Sequence, residues 1–213
     1  MSAARREGGF TLHELLVNVA VLGTFLAGVF AFVSSGMADA ERTMARAVVD
    51  QRANEAINRI ADLLLPAGDA TLSPAAAPLG AGFVDYQTPA AVTAAGIAWE
   101  DVARLERQPD PADPDDGIDN NGDGRIDEGL LVLRRSFGLA GEQSTVLASG
   151  VARWLEGEID NALDDNGNGL EDEAGLAFER TAAGGIVIRL TLEHSHRSGL
   201  YRRTVEATVW PRN

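Results

Sequence analysis

Nineteen consecutive residues without a formal charge, Leu15 to Val33, constrain this chain more than any other feature. A helix of about 20 residues crosses the hydrocarbon core of a bilayer, so the run is long enough to span one. Asn18 and Thr24 are its polar interruptions. Arg5 and Arg6 lie just ahead of it, and the positive-inside bias keeps that leader cytoplasmic while the remainder is exported. A secretory signal carries its cleavage site after the apolar core. Here Gly9 abuts the apolar block, so the processing position lies before it. Cleavage there leaves the apolar helix in the mature protein. Glu14 sits inside the first turns, where a carboxylate is costly and requires a partner.

Arg5-Arg6-Glu7-Gly8-Gly9 followed by Phe10-Thr11-Leu12-His13-Glu14 and the apolar run resembles the class III signal of type IV prepilins and type II secretion pseudopilins. The resemblance extends from Arg5 to about Gly36. It implies that a prepilin peptidase removes residues 1–9, cutting after Gly9 and methylating Phe10. It implies further that Glu14 pairs with the terminal amine of a neighbouring pilin or pseudopilin subunit, each charge relieving the other's burial. The implied location is the bacterial inner membrane, single-pass with a periplasmic C-terminal domain, and then a pilus or pseudopilus filament. His13 stands where the family usually has an apolar residue, and the common mid-helix Pro is missing, with Gly23 and Gly28 as the local weak points instead. These departures, with the chain length, the Arg-rich last hairpin and the absence of Cys, resemble J-type minor pseudopilins or W-type minor pilins more than major pilins.

Beyond the membrane segment, no Gly or Pro interrupts Ala38 to Leu65. Val49, Ala53, Ile57, Ile60 and Leu64 recur at helical spacing. The expectation is one helix over residues 10–65, with its transmembrane half at 15–33, stopped by Pro66 and Gly68. Such a helix is about 84 Å long at 1.5 Å per residue. Ser34, Ser35 and Gly36 mark a kink or melting point. Residues 66–98, rich in Ala, Pro, Gly and Thr, read as an irregular connection with short extended pieces such as Gly82 to Tyr86.

Residues 99–213 read as an antiparallel β domain of three hairpins. The first pairs Ala98–Arg107 with Leu130–Phe137, and the second Val146–Glu156 with Leu176–Thr181. The third pairs Gly185–His194 with Leu200–Trp210. Ile186, Ile188, Leu190 and Leu192 alternate with Val187, Arg189, Thr191 and Glu193, the period of a half-buried strand. The fold class is therefore α+β, a long N-terminal helix packed on an antiparallel sheet, which the resemblance makes pilin-like.

The net charge of −14 is concentrated. Residues 110–128 hold eight acids and one Arg, residues 156–173 hold eight acids and no base, and the rest is near neutral. Nucleic-acid binding is therefore not expected. The two acidic loops, 115–128 and 160–173, form an internal repeat. Asp119-Asn-Asn-Gly-Asp-Gly-Arg-Ile-Asp-Glu128 aligns with Asp164-Asp-Asn-Gly-Asn-Gly-Leu-Glu-Asp-Glu173, and Val102–Glu106 upstream matches Val151–Glu156. Side-chain oxygens recur every second residue at Asp119, Asn121 and Asp123, and at Asp164, Asn166 and Asn168. Gly124 and Gly169 follow, then a carbonyl at Arg125 or Leu170, then Asp127 with Glu128 or Asp172 with Glu173. This is the oxygen grammar of the first half of an EF-hand loop. Hard oxygens without Cys or His favour Ca²⁺ over zinc, at one or two sites. Position 12, a bidentate Glu in an EF-hand, is Leu130 or Gly175 here. Asp115, Asp116 and Asp160 are further upstream donors. Asp, Asn and Gly are equally the ordinary residues of solvated turns.

No Ser-His-Asp grouping and no phosphate-binding loop can be assembled from the sequence, so no enzyme activity is expected. The expected function is a structural, minor subunit of a type IV pilus or type II secretion pseudopilus, stabilised by calcium-binding loops. The opposing reading is a membrane-anchored calcium-binding adhesin or sensor that does not polymerise.

Overall fold

The computed structural model describes residues 11–74, 82–167, 169, 171–197 and 199–212. Gly9 and Phe10, and Asn168 and Leu170 of the second loop, lie outside the described residues. The chain divides into two units, one ending at Met44 and the other beginning at Ala45.

Helix α1 runs Leu12–Leu64. Its start is built by Thr11 and Glu14. The Thr11 N–H donates to Glu14 Oε2 at 2.9 Å, and the Glu14 N–H donates back to Thr11 Oγ1 at 3.3 Å. This reciprocal arrangement satisfies two N-terminal donors that the helix itself cannot. α1 is long and apolar enough to cross a membrane. Its large apolar side chains from Leu12 to Val33 are exposed. The helix runs unbroken through Ser34-Ser35-Gly36, so the expected melting there does not occur. Ser34 Oγ and Ser35 Oγ donate to the carbonyls of Ala31 and Phe32, both at 3.0 Å, so the hydroxyls are satisfied inside the helix.

In the second unit, α1 buries Val49, Ala53, Ile57, Ile60 and Leu64, the stripe read from the sequence, together with Ala45 and Ala56. The helix stops at Pro66 and Gly68. A Cβ on Gly68 would overlap the Trp99 ring, so glycine there makes room for that side chain.

Seven strands form one antiparallel sheet: β1 (Phe83–Tyr86), β4 (Ala103–Pro109), β5 (Gly129–Arg135), β6 (Gln143–Val151), β7 (Leu176–Arg180), β8 (Ile186–His196) and β9 (Gly199–Val209). β2 (Pro89–Thr93) and β3 (Gly96–Trp99) make a separate hairpin. β1, β2 and most of β3 lie within the stretch read as an irregular connection. β4 pairs with β5 and β8 with β9, as expected for the first and third hairpins. The second expected hairpin is corrected. β6 pairs along its length with β5 and touches β8 only at Val151–Leu192, while β7 pairs with β8. Turn length explains this. β7 and β8 are joined by a tight turn closed by Thr181 N–H to Gly185 O at 2.8 Å, whereas a long loop separates β6 from β7. The core joins the helix stripe to Leu105, Leu131, Phe178, Ile188 and Leu190. β8 is central, and Val187 and Thr191 are buried as well as the alternating aliphatic set.

Candidate metal centre

The first acidic loop connects β4 to β5, and Asp119 shapes it. Its Oδ1 accepts the N–H groups of Gly122 and Asp123 at 2.7 and 3.2 Å, and its Oδ2 accepts Gly124 N–H at 2.9 Å. Asp127 closes the far side. Its Oδ1 accepts Gly117 N–H at 2.7 Å, and its Oδ2 accepts Arg153 Nη1 at 2.6 Å. The left-handed turn at Gly124 (φ 85°) brings the chain back beneath these carboxylates. Arg107 anchors the loop to β4 with a two-pronged contact to Asp115 at 2.8 and 2.9 Å and a hydrogen bond to the Asp127 carbonyl.

The second loop repeats this wiring forty-five positions later, as Asp119 and Asp164 show. Asp164 accepts Gly167 and Gly169 N–H at 2.6 and 2.8 Å. Asp172 accepts Asn161 and Ala162 N–H at 3.1 and 2.7 Å. Asp127 and Asp172 both adopt positive φ, at 55° and 49°. The equivalence reaches further upstream than the acidic motif. Asp110 N–H donates to Glu128 O, and Leu155 N–H donates to Glu173 O, at 3.2 and 2.9 Å. Pro109 sits opposite Gly129, and Trp154 opposite Ala174. The upstream match of Val102–Glu106 with Val151–Glu156 is therefore out of step with the repeat.

The chemistry concentrates at the buried end of the first loop. Asp113 is 0% exposed and Glu128 1% exposed. Asp113 Oδ1 accepts Asn120 N–H at 2.7 Å, and Glu128 Oε1 faces Asn121 Nδ2 at 3.0 Å and Arg125 Nη2 at 3.1 Å. The second oxygens, Asp113 Oδ2 and Glu128 Oε2, are buried without a hydrogen-bond partner. The Glu128 carboxyl stands within hydrogen-bond reach of Asp113 and Asp123. Burial and the Asp113 carboxyl push Glu128 up to about 7. The Asn120 N–H holds Asp113 below its usual value, and the Arg125 guanidinium does the same for Asp123. The corresponding pair in the second loop is Glu158 and Glu173, both buried. Glu158 Oε1 accepts Asn166 N–H at 3.1 Å, and its Oε2 is buried without a hydrogen-bond partner.

Among the described residues, no three His, Asp or Glu side chains stand ready-made around one point. Asp119, Asp164 and Asp172 point both oxygens at their own backbone, and Arg125 lies across Asp123 and Glu128. The two acids that fit a hard cation are Asp113 and Glu128, each with one buried carboxylate oxygen unfilled. Asn121 turns its amide nitrogen toward Glu128, and both Asp123 oxygens are engaged by Arg125. Asp113 and Glu158 are not in the set read from the sequence. Their signal was the repeat itself, which continues six residues upstream of Asp119 and Asp164. At the other end of the chain, Glu14 is exposed and engaged by Thr11.

The chain matches no family model, no curated protein and no solved structure. It is an α+β protein with one N-terminal helix capable of crossing a membrane and an antiparallel sheet domain bearing two equivalent acidic loops.

Proposed function

We infer that this chain is a structural subunit, of the minor kind, of a type IV pilus or type II secretion pseudopilus. The observation that carries the reading is the Gly9-Phe10 junction with Glu14 four residues on, set directly against a helix whose large side chains are exposed. An apolar helix face of that extent requires lipid or other helices to cover it. A filament core supplies the second after the membrane has supplied the first. Prepilin peptidase removes residues 1–9, and Glu14 then pairs with the amine of Phe10 in a neighbouring subunit. The two acidic loops hold calcium through side-chain oxygens, each clamping the strands on either side of it. Neutralising so many close carboxylates with a divalent ion stabilises the closed loop.

The test is Glu14→Ala in cells carrying the complete assembly system. The expected result is a processed, folded protein that fails to enter filaments. Normal filament entry, with function lost instead when the loops are mutated, supports the non-polymerising calcium-binding adhesin or sensor.

A further inference from the structure

The two loops carry two kinds of carboxylate that sequence spacing does not separate. Asp119 has both oxygens engaged by three backbone N–H groups, and Asp127 has both engaged by Gly117 and Arg153. These side chains set the path of the loop. Asp113 and Glu128 instead face one another out of solvent, each with one oxygen lacking a donor. A buried carboxylate oxygen without a donor is destabilising, and more so when charged. Two of them side by side require a shared proton or a cation between them.

The geometry points to a divalent-cation centre at the buried end of the first loop, held between Asp113 and Glu128, with Asp119 as the shaping residue and not the principal ligand. This rests on the calcium reading and moves its centre from the head of the motif to a residue six positions before it. The Arg125 guanidinium bears on Glu128 Oε1 and Asp123, so it neutralises the outer side of the cluster and leaves Oε2 and Asp113 Oδ2 for the ion. In the second loop Glu158 stands in the place of Asp113, again with one buried oxygen lacking a donor. A ligand upstream of the motif also accounts for the missing acid at position 12. The cage is closed by a residue entering from before the loop.

Calorimetric titration of the full chain in detergent with calcium chloride tests this. Asp113→Asn, close in shape, is expected to weaken one calcium site by roughly tenfold or more, because a charged oxygen ligand is lost. Asp62→Asn, an exposed carboxylate on α1 outside both loops, is expected to leave binding within about threefold. If Asp113→Asn does not fold, as judged by circular dichroism, Glu128→Gln is read in its place and carries the same expectation. Wild-type affinity and stoichiometry in a folded Asp113→Asn or Glu128→Gln protein would overturn the placement while leaving calcium binding intact. Absence of calcium binding by the wild type overturns the calcium reading itself, and the placement with it.

Discussion

Replacing Glu128 with Gln is expected to stabilise the protein in chelator and destabilise it in calcium. The magnitude follows from the buried pair. Glu128 is held at about 7 against a usual 4.5, chiefly by burial and then by Asp113. An acid whose folded value is raised binds its proton more tightly when folded. Its contribution is complete below about 4.5 and is lost as pH rises through about 7. At about 1.4 kcal/mol per pH unit, full ionisation costs about 3 kcal/mol, of which roughly 2 falls between pH 5.5 and 7. For a unit of this size that is a melting-temperature loss of roughly 4–8 °C. Thermal melts of the full chain in EDTA between pH 5.5 and 8 are expected to show this decline in the wild type and a flatter one in Glu128→Gln. Glu193, also pushed up by burial, adds a slope of the same sign in both proteins, and His194, pulled down by burial, opposes it equally in both. With calcium at a hundred times its dissociation constant, the wild type gains about 2.7 kcal/mol, and the variant gains less. Equal pH slopes in the two proteins, or a wild-type melting temperature that rises across this window, would refute the reasoning.

Two further substitutions test the frame that holds the loops. Gly175→Ala would drive a methyl into the Ala152 carbonyl oxygen, a backbone atom that cannot step aside. A loss of roughly 3 kcal/mol is expected by chemical denaturation, while loss under 0.5 kcal/mol would mean that the crossing of these segments is looser than described. Ile60→Ala empties a fully buried position between α1 and the sheet, and a loss of roughly 2–5 kcal/mol is expected in the same assay. A near-neutral result there would contradict the packing of the helix stripe.

The helix stripe was legible because 3.6-residue periodicity survives in Val49, Ala53, Ile57, Ile60 and Leu64, all of which are buried. The last hairpin was legible from its alternation. The partner of Leu176–Arg180 was not, because alternation marks a strand without naming its neighbour, and the short turn at Thr181–Gly185 decided the pairing. β2 and β3 escaped notice because they are mostly exposed on both faces and so show no alternation. Glu14 has two roles in the sequence, a costly carboxylate in a membrane segment and the last residue of a Thr11-x-x-Glu14 cap, and only the second is visible in the hydrogen bonds. The repeat and its oxygen spacing were plain in the sequence. Which carboxylates shape the loop and which remain free was not, because that division depends on backbone N–H directions and on burial. Asp113 is an unremarked acid between two prolines until folding closes it against Glu128.

The central claim is that this chain is processed and assembled as a pilin-like subunit. Intact mass measurement of the protein purified from membranes, after co-expression with a prepilin peptidase, tests it most directly. The account predicts a mature chain beginning at Phe10 and carrying one added methyl group, with the apolar helix retained. A chain that still begins at Met1, or one cut after the apolar segment, would contradict it.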